Sequence, residues 1–251
     1  TRPGALNALT YEMCLAIRDA LDTWAQDDAV SLVIIDAEGD KAFCAGGDIT
    51  SLYEAGTAGD HEYGRRFWRD EYRMNARIAE FPKPCVTLLQ GYTMGGGVGI
   101  GCHGSHRIVC ESSKIAMPEC GIGLVPDVGG SLLLAHAPGR AGEYLGTTAE
   151  RMGPDDAIFA GFADSYIPRA AWGDLIATLC ETGDPDAIPA RGVSAPEGTL
   201  RHRLARIDAH FGGEGLIDIL NSLRVEDSDF ADATLDKMTR NSPLSMACTI
   251  E

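Results

Sequence analysis

Residues 94–130 read MGGGVGIGCHGSHRIVCESSKIAMPECGIGLVPDVGG, and this stretch decides the fold and most of the chemistry. Three consecutive glycines, Gly95, Gly96 and Gly97, open an apolar segment just after a strand-like run at 86–90. Without side chains, their N–H groups can come close to a bound group. Two more strand-like runs follow, at 106–110 and 114–117, and Pro118 fixes the angle at which Glu119 leaves the second. The segment CGIGLVP then carries no charge until a second acid, Asp127, eight residues after Glu119. Isolated carboxylates in apolar surroundings are costly unless partnered or used. Backbone donors beside two such acids are the parts for polarising a carbonyl and moving a proton next to it.

Upstream, Thr10 is a plausible N-cap for a helix with the apolar stripe Met13, Ala16, Ile17, Ala20, Leu21 and Trp24. The run VSLVIID at 30–36 reads as a buried strand. The segment AFCAGGD at 42–48 brings a second glycine pair, Gly46 and Gly47, followed by Asp48, and a polar stretch to residue 59 reads as a loop. Residues 60–80 are predicted helical, stopped by Pro82-Lys83-Pro84. Downstream the pattern turns helical, at about 128–137, 139–147, 154–161 and 169–181, with one short strand at 165–167. Residues 182–198 read as a linker, and 199–251 as amphipathic helices. The expectation is an α/β core over 1–181, then a linker and C-terminal helical region over 182–251.

A chain of 251 residues, 45% hydrophobic and 23% charged, has the makeup of a globular protein with a sizeable core. Its net charge of −16 argues against binding nucleic acid or an anionic membrane through a basic face. An anionic small molecule remains compatible, because local backbone dipoles and a few basic side chains can hold phosphate. No apolar run is long enough to span a membrane. The eight cysteines include no CxxC pair and mostly sit in apolar stretches, which favours buried, reduced thiols. The expected location is cytoplasmic, or the mitochondrial matrix for a eukaryotic source.

Each motif has a bland alternative. The two glycine loops could be tight turns, or two N–H donors aimed at one oxygen. Asp127 could cap the helix expected to open at Val128, and function is the better reading of both acids, by a narrower margin at Asp127. Gly99–Gly104 fits GxGxxG, but the next strand starts two residues later and leaves no room for a crossover helix. Cys102, His103, His106 and Cys110 match no zinc template, so no metal is expected. Arg69-Asp70-Glu71-Tyr72, inside the 60–80 helix, reads as a solvated face.

As an ordered set, RPGALNALT (2–10), KAFCAGGDI (41–49), KPCVTLLQGYTMGGG (83–97) and MPECGIGLVPDVGG (117–130) resemble the crotonase, or enoyl-CoA hydratase/isomerase, superfamily. The resemblance implies a crotonase-like core, a spiral of ββα turns, that binds acyl-coenzyme A. It implies an oxyanion hole at the N–H groups of Gly47 and Gly96, with Gly46, Asp48 and Gly95 beside the substrate. Hydratases of the superfamily carry an acid at the position of Gly99. Glycine there, with Glu119 and Asp127 both present, looks like the 3-hydroxyisobutyryl-CoA hydrolase branch, whose members are thioesterases of valine breakdown. FWRDEYRMN (67–75), FGGEGLIDIL (211–220) and NSPLSMA (241–247) resemble it too. In that branch the acid matching Glu71 contacts substrate, which overrides the solvated reading at that residue.

By resemblance the chain lacks a first strand before Arg2 and helices after Glu251. The function implied is hydrolysis of a short β-hydroxyacyl-CoA thioester by Glu119 and Asp127, with Glu71 on the substrate hydroxyl. Coenzyme A is then part of the substrate, no cofactor is needed, and a homo-oligomer is allowed. The alternatives are an enoyl-CoA hydratase or isomerase on the same fold, or a non-catalytic acyl-CoA binder.

Overall fold

The computed structural model describes residues 1–251. The first helix, α1 (Tyr11–Gln26), starts where expected: the Thr10 side chain accepts from Met13 N at 3.2 Å. Next come the strands β1 (Val33–Ile35) and β2 (Ala42–Cys44) and the helices α2 (Ile49–Thr57) and α3 (His61–Ala79). A second pair of strands, β3 (Cys85–Leu89) and β4 (Tyr92–Met94), leads into the short α4 (Gly96–Gly101). A third pair is β5 (His106–Val109) and β6 (Lys114–Ala116), followed by a 3₁₀ turn at Glu119–Ile122. Then follow α5 (Gly130–His136), α6 (Ala141–Thr148), α7 (Pro154–Phe159), β7 (Ser165–Tyr166) and α8 (Trp172–Thr182). The chain finishes with α9 (Leu200–Phe211), α10 (Leu216–Val225), α11 (Asp229–Thr239) and α12 (Pro243–Ile250).

The strands form two parallel sheets, ordered β1-β3-β5-β7 and β2-β4-β6. A strand of the first sheet turns a corner into a strand of the second, and the chain then returns through helix or loop: this is the expected ββα spiral. At one corner Gly91 has φ +58°, and a Cβ there would stand 2.2 Å from Lys41 O. Only glycine fits so close a backbone approach.

Strand β3 shows why it reads as a continuous apolar run: it is buried on both faces. Cys85 and Leu89 join a 39-residue core cluster, while Val86 and Leu88 join Ile108, Trp172, Leu175 and Leu179 beneath α8. The main cluster also takes in Leu200, Ile207, Phe211, Ile219, Leu223, Met238 and Met246, so the C-terminal helices share its interior.

Some local expectations need correction. Residues 49–57 form α2 rather than loop, because Leu52 packs against the core. The stretch at 30–36 is strand only at Val33–Ile35. The expected linker contains two 3₁₀ turns, Pro185–Ala187 and Pro189–Arg191, with Ile188 buried between them. Six cysteines are buried, Cys180 and Cys248 are exposed, and all are free thiols. No helix is long and apolar enough to cross a membrane.

Candidate active site

The triple glycine is enforced at each position by what stands beside it. A Cβ on Gly95 would come 2.6 Å from Glu119 Oε1, and one on Gly96 would come 2.6 Å from Glu71 Oε1 and 3.1 Å from Gly47 N. On Gly97 it would strike Cys44 O at 2.1 Å. Two carboxylates and a neighbouring backbone therefore occupy the space that side chains would need. The same geometry draws the loop after β2 to the start of α4, so the amides of Gly47 and Gly96 are neighbours. Gly96 is the first residue of α4, where an N–H has no partner within the helix. Such a pair can receive one oxygen.

Gly46, Gly47, Glu71, Gly95, Gly96, Glu119 and Asp127 line one cavity, with Phe67, Trp68, Met94 and Val128 among its apolar walls. Asp48 does not line it: its Oδ2 accepts from Arg2 Nη1 at 2.8 Å, and the guanidinium holds its carboxyl below the usual range. A larger groove of about 370 Å³ lies between α1 and β1, but Asp36 is the one charged residue among its lining residues. The titratable chemistry sits in the smaller cavity.

Three acids meet there from three elements: Glu71 from α3, Glu119 from the turn after β6, and Asp127 from the loop before α5. Glu71 is 2% exposed and Glu119 5%. Glu71 Oε1 and Glu119 Oε2 are buried without a hydrogen-bond partner. Burial, then the charge of Asp127, pushes Glu71 up to about 8. Burial, with smaller contributions from Asp127 and Glu71, pushes Glu119 up to about 8. Asp127 is also raised by burial, while Tyr72 offsets part of the rise by donating its phenol to Oδ2 at 2.6 Å. Burial and the Asp127 carboxylate in turn push the Tyr72 phenol up.

Asp127 is not a helix cap: α5 opens at Gly130, with Gly129 at the N-cap and no side-chain cap. The solvated reading of 69–72 holds for Arg69 and Tyr72, which are exposed, and fails for the two acids between them: Glu71 is buried, and Asp70 is 7% exposed and accepts from Tyr11 Oη at 2.7 Å. The zinc alternative has no geometry behind it. Cys102 and Cys110 are buried in the core, and no three His, Cys, Asp or Glu side chains are placed to share a metal ion.

Three residues near the site carry roles that the sequence does not announce. Tyr72 reads in the sequence only as part of a solvated face, although it directly follows Glu71 and its phenol donates to Asp127. Asn75, 4% exposed and one helical turn after Glu71, has neither side-chain polar atom bonded. His103 Nε2 meets Val128 O at 2.8 Å, and burial lowers its pKa. Only an amide one turn from an expected site acid could have signalled Asn75. Nothing in the sequence pairs residue 103 with residue 128.

A model of the enoyl-CoA hydratase/isomerase family matches residues 1–251. The mitochondrial 3-hydroxyisobutyryl-CoA hydrolase of Xenopus tropicalis is 38% identical, over 99% of this chain and 67% of its own length. The Mus musculus protein of the same name is 36% identical with the same coverage. Among solved structures, one described as an enoyl-CoA hydratase from Rhodobacter sphaeroides 2.4.1 is 58% identical, with TM-score 0.95. It matches 99% of this chain and 72% of its own. One described as a carnitinyl-CoA dehydratase from Mycobacterium thermoresistibile is 38% identical, with TM-score 0.96, over 100% of this chain and 73% of its own.

Proposed function

The chain belongs to the enoyl-CoA hydratase/isomerase family, and within that family we propose that it hydrolyses the thioester of a short β-hydroxyacyl-CoA, 3-hydroxyisobutyryl-CoA being the substrate of choice. The observation that carries this reading is at Gly99. A Cβ there would come 2.8 Å from both polar atoms of Asn75 and 2.8 Å from Val128 Cβ. The place where the superfamily's hydratases carry one of their two acids is thus filled by other side chains, while Glu119 stands against Gly95 and Glu71 against Gly96, in one cavity with Asp127. The hydrolase names of the curated relatives agree with this reading.

In the proposed reaction the acyl oxygen lies between the N–H groups of Gly47 and Gly96, and loss of one such donor typically costs ~10²–10³ in rate. Ionised Glu119 either attacks the carbonyl carbon to give a mixed anhydride, which water then opens, or takes a proton from an attacking water. Either way the carbon–sulfur bond breaks, the thiolate is protonated, and one water is consumed. Asp127, oriented by Tyr72, positions the water or the substrate hydroxyl and passes the proton. Glu71 binds the hydroxyl. Coenzyme A enters and leaves as part of the substrate, and no metal or redox cofactor is required by these steps.

A second reading has an observation in its favour, namely the 58% identical structure described as an enoyl-CoA hydratase. One assay separates the two. Free thiol released from 3-hydroxyisobutyryl-CoA, and abolished by Glu119→Gln, is the expected result. Loss of the crotonyl-CoA double-bond absorbance without thiol release would replace the hydrolase with a hydratase.

A further inference from the structure

Val128 is a β-branched, buried residue in the left-handed region, at φ +47°, and Gly129 follows at φ +76°. Gly130 N donates back to Asp127 O at 2.6 Å, closing a tight turn with two successive positive φ angles. Turns of this kind call for Asn or Gly at the first of those two positions, and valine is among the poorest choices. A conformation so disfavoured persists only where its surroundings over-determine it. The valine side chain fills the space beside Gly99 and Asn75 and walls the cavity.

A second bond to the turn comes from outside it, from His103. Its Nε2 lies 2.8 Å from Val128 O and carries the proton, since a carbonyl can only accept. The ring also abuts the turn: a Cβ on Gly129 would come 2.5 Å from Nε2 and 2.7 Å from Cε1. His103 sits just past the C-terminal end of α4, the helix whose first residue presents the Gly96 amide. The imidazole therefore ties the element bearing the amide to the turn bearing Asp127.

We propose that His103 is a positioning residue: by bonding the strained carbonyl of Val128 it fixes the Asp127 carboxylate relative to the Gly47 and Gly96 amides. The inference rests on the hydrolase reading for its catalytic readout. The structural half stands without it. Freed from His103, Val128 relaxes toward ordinary backbone angles, and Asp127, one residue before it, swings with it. Misplacement of a catalytic group by about 1 Å can cost ~10²-fold in rate.

The test is a mutant cycle. His103→Gln places an amide N–H near the position of Nε2, whereas His103→Asn falls short and His103→Leu donates nothing. Thiol release from 3-hydroxyisobutyryl-CoA is expected to keep its kcat within about threefold in His103→Gln. It should fall about tenfold or more in His103→Asn and His103→Leu, with KM within about threefold. Adding Val128→Gly removes the backbone conflict, so in the V128G background His103→Leu should change kcat less than about threefold further.

Equal losses in both backgrounds, a loss in His103→Gln as large as in His103→Asn, or a loss carried by KM would overturn the assignment. If the leucine variant does not fold, the Gln and Asn pair decides. If wild type releases no thiol, the hydrolase reading fails by itself and the brace is judged on melting temperature. His103→Leu should then lower Tm by several degrees in wild type and by less than half as much in the V128G background, and equal drops overturn it.

Discussion

Glu119 is under two conflicting demands, a buried seat against Gly95 and a reactive carboxylate. Burial and two acidic neighbours raise its pKa from 4.5 to about 8. At neutral pH the folded group is mostly protonated, and the proposed chemistry uses the ionised form. The expected pH profile of kcat/KM therefore rises through an apparent pKa near 8, a value belonging to the coupled set of Glu119, Glu71 and Asp127. Asp127→Asn removes a negative neighbour, so in its residual activity this rising limb should move to lower pH; an unmoved limb would mean that Asp127 does not act on the titrating group.

The same shift has a consequence for stability. A folded pKa above the unfolded value favours folding fully below pH 4.5, and that advantage is lost as pH rises through about 8. Near pH 7 the unfolded chain gains from ionising and the folded one does not. Glu119→Gln should therefore be inactive yet melt higher than wild type at pH 7, by up to about 3 kcal/mol, with the gain vanishing below pH 4.5. A calorimetric comparison at pH 4 and pH 7 measures it, and a variant less stable at both would show that the seat prefers a carboxylic acid for packing alone. At this scale Glu119 and Asp127 were legible because a lone charge in an apolar run stands out, whereas Glu71, inside a charged run, was marked only by the resemblance. Tyr72 and Asn75 were not legible, because their meaning lies in what faces them across the cavity.

Among elements, the strongest constraint is where α4 meets β2. Helix α4 is six residues long and starts against Cys44 at the end of a three-residue strand. No side chain at 97 fits over Cys44 O, 2.1 Å from the position of a Cβ, and the obstacle is backbone that cannot rotate away. Gly97→Ala should push α4 off β2, destabilise the fold by about 1–3 kcal/mol or more, and raise KM as well as lower kcat, because the Gly96 amide moves with the helix. A denaturant melt and a kinetic comparison test both, and an unchanged KM would mean that the amide stays in place. The glycines were plain in the sequence, and so were the long periodic elements: α1 with its Thr10 cap, α3, and the apolar β3. Strands β2 and β4, three residues each, carry too few side chains for a period of two to show. Helix α2 was hidden by its polar residues and Gly56, and only the packing of Leu52 reveals it.

For the molecule as a whole, the question is whether the C-terminal helices fold with the sheets or apart from them. Strand–helix alternation pointed to an α/β core, whereas the two-sheet spiral came from the resemblance; no local pattern says that consecutive strands lie in different sheets. The 39-residue cluster spans both parts, and among the polar contacts that join them the most heavily bonded is Glu150. That carboxylate, just past α6, accepts from Arg203 of α9 at 2.8 Å, from Lys237 of α11 at 2.6 Å and from the Tyr144 phenol. Burial alone would raise its pKa, but the bonds from Arg203, Lys237 and Tyr144 hold it at about 2. A depressed folded pKa gives stability that is present above pH 4.5 and lost as pH falls toward 2, worth about 3 kcal/mol at neutral pH. Glu150→Gln should lower Tm at pH 7 and flatten the acid side of the stability curve. The three tryptophans, Trp24, Trp68 and Trp172, all lie before the C-terminal helices, so their fluorescence follows the sheets while far-UV circular dichroism follows every helix. With one shared core, the two signals should fall together on acid titration, in wild type and in Glu150→Gln alike. Dichroism falling first would show that residues 199–251 melt as a separate unit, with Glu150 as their latch to the sheets.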